Sequence, residues 1–206
     1  MGEPFPRCTA FEGSRRIASG DLRQVVARVK ETVEAGTQEP VLIFDDATSR
    51  VVDVDLRGTV EEVVARLGPG SGGGEPVSAG AAPEPEGPRG PGRPKLGVVA
   101  REVTLLPRHW EWLNSQPGGA SVALRKLVEQ ARRANEGKDR VRQAQEAVYR
   151  FMSAMAGNQP GYEEAIRALY AQEQARFDGL IQPWPADVRD HVRKLAATAF
   201  EIGSTP

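Results

Sequence analysis

Val41-Leu42-Ile43-Phe44-Asp45-Asp46-Ala47-Thr48-Ser49-Arg50-Val51-Val52-Asp53-Val54-Asp55-Leu56 is the stretch that decides the fold class. A short apolar run meets a segment rich in turn formers, and a second β-branched run follows. In that second run Val52, Val54 and Leu56 share one face while Asp53 and Asp55 share the other, the two-residue period of a strand. The pattern predicts a hairpin with one solvated face.

The neighbouring segments build a module around it. Upstream, Cys8-Thr9-Ala10-Phe11 and Arg16-Ile17-Ala18 flank the turn-forming Glu12-Gly13-Ser14, which predicts a first hairpin. Between the hairpins Leu22, Val25, Val26, Val29 and Val33 recur at helical spacing. Asp21 stands at the cap with Gln24 three residues on, and Gly36 ends the helix. Downstream, Thr59 and Glu62 form a capping-box pair ahead of Val60, Val63, Val64 and Leu67. The predicted order over residues 1–67 is ββαββα, a small acidic sheet covered on one side by helices.

Residues 68–94 are dominated by Gly, Pro, Ala, Ser and Glu and hold one large aliphatic, Val77. Such a composition cannot bury enough surface to offset chain entropy, so a flexible Gly/Pro linker with a basic end is expected. Residues 95–206 read as a strand plus a mostly helical module. A strand is expected over 98–106 and a helix opened by Pro107 that carries Trp110, Trp112 and Leu113. After the break Gln116-Pro117-Gly118-Gly119, Ser121 caps a longer helix with Leu124, Leu127, Val128 and Ala131 inward. Further helices are predicted at about 138–156, 161–178 and 186–201. The fold class is α+β: a small ββαββα N-terminal module, a disordered linker, and the strand-plus-helix module.

Composition narrows the function classes. The chain has 206 residues, enough for one or two domains, and 39% are apolar. No apolar run approaches the ~20 residues needed to cross a bilayer. The start Met1-Gly2-Glu3-Pro4 shows no signal peptide, and Cys8 is the single cysteine, so an internal disulfide is excluded. These features predict a cytoplasmic protein. The net charge of −1 conceals an asymmetry. Residues 1–88 carry 9 basic against 15 acidic side chains, residues 89–142 carry 12 against 5, and residues 143–206 carry 6 against 8. A central block of net +7 between acidic flanks suits a polyanionic partner. It equally suits docking on the chain's own acidic module.

Several constellations have chemical content. Pro88-Arg89-Gly90-Pro91-Gly92-Arg93-Pro94-Lys95 is narrow, extended and basic, the combination that enters an A·T-rich minor groove. It resembles the core of an AT-hook, with Pro91 interrupting the Arg-Gly-Arg-Pro order. Arg101-Glu102-Val103-Thr104-Leu105-Leu106-Pro107, followed by Ala120-Ser121-Val122-Ala123-Leu124-Arg125-Lys126-Leu127, resembles the ribbon-helix-helix DNA-binding proteins. That resemblance implies a homodimer paired through the 98–106 strand. It implies Arg101, Val103 and Leu105 facing the major groove, with Ser121 and its neighbours holding phosphate. Val103 and Leu105 equally suit the core of a small sheet, and Trp110 and Trp112 suit base stacking or a core.

Asp45, Asp53 and Asp55 are spaced to hold a hard cation such as Mg²⁺, or to decorate a wet sheet face. His109 and His191 lack a second ligand at helical spacing, and His191 is expected to pair locally or cap. No Gly-x-Ser-x-Gly, Walker loop, dinucleotide fingerprint or Cys/His pair is present. The sequence therefore points to no catalytic residues, no cofactor, no metal site and no small-molecule substrate.

The run Gly92-Arg93-Pro94-Lys95-Leu96-Gly97-Val98-Val99-Ala100-Arg101-Glu102-Val103-Thr104-Leu105-Leu106-Pro107-Arg108-His109-Trp110-Glu111-Trp112-Leu113 resembles the signature of an uncharacterised bacterial family, a domain of unknown function. Val41–Thr48 and Trp184–Val192 resemble it too. That resemblance implies a bacterial cytosolic protein and no particular activity. The function expected from the residues is DNA binding, regulatory in role, through Arg89, Arg93, Lys95, Arg101, Ser121, Arg125 and Lys126. The alternatives are a protein-interaction adaptor without nucleic acid, and a metal-dependent enzyme using the Asp cluster.

Overall fold

A computed structural model of the chain describes residues 5–67, 99 and 101–200. The linker expected at 68–94 lies outside the described residues, and so do Arg89, Arg93 and Lys95. The described residues fall into two compact units. The first comprises residues 5–67 and 136–200, the second residues 99 and 101–135. The compositional boundaries at 67 and 95 are therefore not where packing divides the chain. The fold is α+β.

The first unit opens with β1 (Arg7–Glu12) and β2 (Arg15–Asp21), joined at Gly13, whose φ of +52° a side chain would resist. α1 (Leu22–Glu34) follows, capped by the Asp21 carboxylate, which accepts from the Arg23 N–H at 2.9 Å. The chain then returns as β3 (Val41–Asp45) on the far side of β1, giving an antiparallel sheet of order β2-β1-β3. α2 (Val60–Arg66) starts on the expected capping box. The Thr59 N–H donates to the Glu62 carboxylate at 2.9 Å and the Glu62 N–H to the Thr59 hydroxyl at 3.3 Å.

The second hairpin is only partly realised. Val51 forms a single bridge to Phe44, the Val52 N–H donates to the Ile43 carbonyl at 2.8 Å, and no strand follows. Val52 leaves the sheet plane to join the core beneath α1, and Asp55 turns the chain by pairing with Arg57 at 2.8 Å. The observed order is thus ββαβα.

Neither face of the sheet is wet. On one, Cys8, Ala10 and Ile43 pack with Leu22, Val25, Val26 and Val29 of α1, and with Val63 of α2. On the other, Phe11 and Phe44 pack into a larger core of helical residues from the C-terminal part of the chain. The unalternating Val41–Phe44 run is the sequence mark of a strand buried on both sides. Phe11, Phe44 and Phe151 make an edge-packed trio with centroids 5.0–6.2 Å apart.

The helices on that face are the C-terminal part of α4 (Gly119–Met155), α5 (Tyr162–Tyr170), α6 (Gln174–Ile181) and α7 (Ala186–Phe200). The single helix expected at 161–178 is two, because Gln172 adopts a left-handed φ of +59° between them. The helix expected to start at Ser121 and the one expected at about 138–156 are instead one. Gly137 costs about 1 kcal/mol and Asn135 less, and flanking pairs such as Glu129–Arg133 and Asp139–Arg142 support continuation. Trp184 locks the α6–α7 corner, its indole N–H donating to the Pro160 carbonyl at 2.9 Å.

The second unit holds α3 (Pro107–Ser115), with Pro107 at its first position as expected, and the N-terminal part of α4. Residues 101–106 carry no strand, contrary to expectation. Extended backbone becomes a strand only when its amides and carbonyls pair with a neighbour, and no ladder forms there among the described residues. No helix among the described residues is long and apolar enough to cross a membrane.

Candidate nucleic-acid interface

The second unit carries the described cations singled out from sequence. Arg101 lies in the extended segment, and Arg125 and Lys126 lie two turns into α4; all three are exposed. The Arg125 Nε donates to the Ser121 carbonyl at 3.0 Å, which folds its guanidinium along the helix without neutralising it. Ser121 is the third residue of α4, not its cap, because the helix already opens at Gly119, where Gly118 and Gly119 take left-handed φ of +88° and +74°. Its backbone N–H still falls among the amides of the first turn, which have no intrahelical acceptor.

Sequence reasoning missed Arg108, an exposed cation one residue into α3. Its signal was its place immediately after Pro107. Among the described residues Arg101, Arg108, Arg125 and Lys126 make no ion pair, whereas Arg133 is held by Glu129 at 3.0 Å and Arg142 by Asp139 at 2.9 Å. An unpaired cation keeps its full charge for a partner; one already paired must first be released.

The expected inward face of α4 does not point inward. Leu127 is 42% and Val128 63% exposed, and Ala131 is exposed too. Trp112 is 51% exposed, so of the α3 residues expected to pack, only Leu113 is buried. Leu105, His109, Trp112, Leu113, Leu124 and Leu127 line an open groove of about 280 Å³ between α3 and α4.

The acidic cluster of the first unit is dispersed by its own hydrogen bonds. Asp45 caps its turn, accepting from the Thr48 N–H at 2.7 Å and the Ala47 N–H at 3.1 Å. The Arg57 guanidinium bonded to Asp55 holds that carboxyl well below the usual carboxylate range. Asp53 is exposed. Asp46 turns the other way, accepting from the Thr9 hydroxyl at 2.6 Å and the Lys194 ammonium at 2.8 Å. Burial pushes its pKa up, but those two bonds outweigh burial and leave it lowered. Among the described residues no three acidic, His or Cys side chains are placed to hold a metal ion.

Beside this node His191 is 1% exposed, ringed by Phe11 and Phe151 at 5.4 and 4.5 Å. Neither ring nitrogen has a hydrogen-bond partner within the protein, so the imidazole neither pairs nor caps as expected. Burial lowers its pKa to about 4. The Asp46–Lys194 bond and the His191 cage hold α7 against the sheet; His191 is packed core, whereas Asp46 and Lys194 line an open cavity of about 340 Å³ together with Arg140 and Gln143.

A three-stranded sheet covered on both faces by helices, with a second unit of helices bearing exposed cations, defines an α+β protein. Residues 7–196 match the family described as "uncharacterized protein conserved in bacteria (DUF2239)", and the chain belongs to that family. No curated protein and no solved structure matches it.

Proposed function

We propose that this is a cytoplasmic DNA-binding protein, regulatory in role, that grips the phosphate backbone through its second unit. The observation that carries the proposal is the set of four exposed side chains free of ion pairs, Arg101, Arg108, Arg125 and Lys126, on one small unit. They sit inside a sequence block of 12 basic against 5 acidic residues. The Gly92-Arg93-Pro94 element, with Arg89 and Lys95, adds a minor-groove contact from the same block. Phosphate contacts fix position on a duplex, so the expected binding is tolerant of sequence.

The test is fluorescence anisotropy of labelled duplex and single-stranded DNA titrated with the full chain. Three or four phosphate contacts give a salt slope of about −3, a loss of roughly 50- to 150-fold between 50 and 200 mM salt. Arg101→Ala with Lys126→Ala should reduce that slope by about 2, and Arg93→Ala with Lys95→Ala should weaken binding on A·T-rich duplex more than on G·C-rich duplex. No binding to any duplex or single strand at low salt would sink the proposal.

A further inference from the structure

The cavity beside Asp46 and Lys194 serves neither the packed core nor the proposed DNA grip. It measures about 340 Å³, inside the roughly 300–1,000 Å³ of small-molecule sites. It lies wholly in the first unit, between the C-terminal part of α4, α7 and the turn that follows β3. Two alanines one turn apart on α4 leave the hollow, because Ala144 and Ala147 end at Cβ where a longer side chain would fill it. Ala147 is buried and Ala144 half-buried, so they form the floor; Arg140, Gln143 and Lys194 are exposed and stand at the mouth.

The polar groups around the hollow select its ligand. Donors dominate: the Arg140 guanidinium, the Lys194 ammonium, the Gln143 amide and the Thr198 hydroxyl. The one carboxylate is Asp46, and both its oxygens are engaged. Oδ1 accepts from the Thr9 hydroxyl at 2.6 Å and Oδ2 from the Lys194 ammonium at 2.8 Å. An ammonium carries three donors, so that bond leaves Lys194 two and fixes where they point. The side chains of Arg140, Gln143 and Thr198 have no hydrogen-bond or ion-pair partner among the described residues. Two cations thus face one anion already in use. We infer that this cavity binds a small organic anion, which presents a carboxylate or phosphate to Arg140 and Lys194 and lays a short body on the alanine floor. Unused donors call for an acceptor-rich ligand, and the planar guanidinium fork matches either group with two parallel bonds. A cationic ligand would meet Arg140 and Lys194 at the mouth, and a purely apolar one would leave every donor there without an acceptor.

This site does not rest on DNA binding, whose cations Arg101, Arg108, Arg125 and Lys126 all belong to the second unit. Amide NMR shifts of the full chain test it, in titrations at constant ionic strength with inorganic phosphate and, separately, with succinate. At least one of the two should give saturable shifts at residues 46–47, 140–147 and 194–198. The expected dissociation constant is about 1 mM, within reach of a ligand of about five to eight heavy atoms. Saturation by phosphate alone assigns the site to phosphate esters, by succinate alone to carboxylic acids, and by both to the anion chemistry they share. Arg140→Gln should weaken binding about fivefold or more, since it removes the charge and the fork. Ala144→Leu keeps every charge, suits a helix and fills the hollow, and should weaken binding by about as much. Arg101→Ala with Lys126→Ala should leave it unchanged. If Ala144→Leu disturbs the core amides, the exposed Arg140→Gln decides. No saturation by either anion up to about 50 mM overturns the inference. Shifts that survive Arg140→Gln, or that vanish in the Arg101→Ala/Lys126→Ala variant, overturn it equally.

Discussion

The two units spend similar side chains to opposite ends. In the first, Phe11, Phe44, Phe151, Met152, Leu169 and Val192 are completely buried, and the sheet is covered on both faces. In the second, Trp112, Leu127 and Val128 stand in solvent beside four free cations. The first unit buries its large apolar side chains between its own sheet and helices; the described part of the second leaves most of its own exposed. Apolar content alone does not distinguish the two; the number of elements converging on each apolar face does.

Predictions that break this contrast begin in the first core. Phe151→Ala removes a ring that touches Phe11, Phe44 and His191, and should cost about 3–5 kcal/mol in urea unfolding. A loss below about 1 kcal/mol would mean that the sheet and the C-terminal helices do not share a core.

Acid should loosen the same place. His191 is held neutral, its pKa lowered to about 4 against about 6.5 in an unfolded chain. Below pH 6.5 the unfolded state takes up a proton that the native state refuses, so stability falls until about pH 4, by at most about 3 kcal/mol, and His191 contributes no further change below that. The Asp46 carboxyl, lowered in the native state, contributes stability that is present above its unfolded pKa and lost as pH falls through the native one. His191→Phe should flatten the segment between pH 6.5 and 4 and leave the more acidic segment intact; urea midpoints at pH 7, 4.5 and 3 check both.

Removing the node's anion is a smaller change. Asp46→Ala strands the Lys194 ammonium and the Thr9 hydroxyl and should cost about 1–3 kcal/mol at pH 7, with little effect at pH 3. The smallest effect is kinetic. Burial, with Asp45, Asp46 and Asp21 nearby, pushes the Cys8 thiol up to about 12, so native protein should react with a thiol reagent only as fast as the first unit opens. Immediate labelling would contradict the closed sheet-α1 face.

Local signals were legible in the sequence. The Gly13 hairpin, the Thr59–Glu62 capping box, Pro107 at the start of α3 and the apolar stripe of α7 each rest on a few adjacent residues, and each stands. What failed depended on distant partners. The strands expected at 51–56 and 98–106 have the right alternation, but a strand exists only by pairing. The helix expected from Ser121 and the one expected at about 138–156 are one, because a long helix absorbs the cost of Asn135 and Gly137. That Phe11 and Phe44 face helices from the far end of the chain follows from no local pattern, although the unbroken Val41–Phe44 run hinted that both sheet faces are covered. For the candidate interface, the basic block was visible as charge. Which of its cations are free was not, because Glu129 and Asp139 neutralise neighbours one helical turn away.

The central claim is that the first unit holds a core that the described part of the second lacks. Hydrogen exchange on the full chain tests it most directly. Amides of residues 148–156 and 186–199 should exchange only through global unfolding, and those of residues 107–131 much faster. Equal protection of the two sets would contradict the claim.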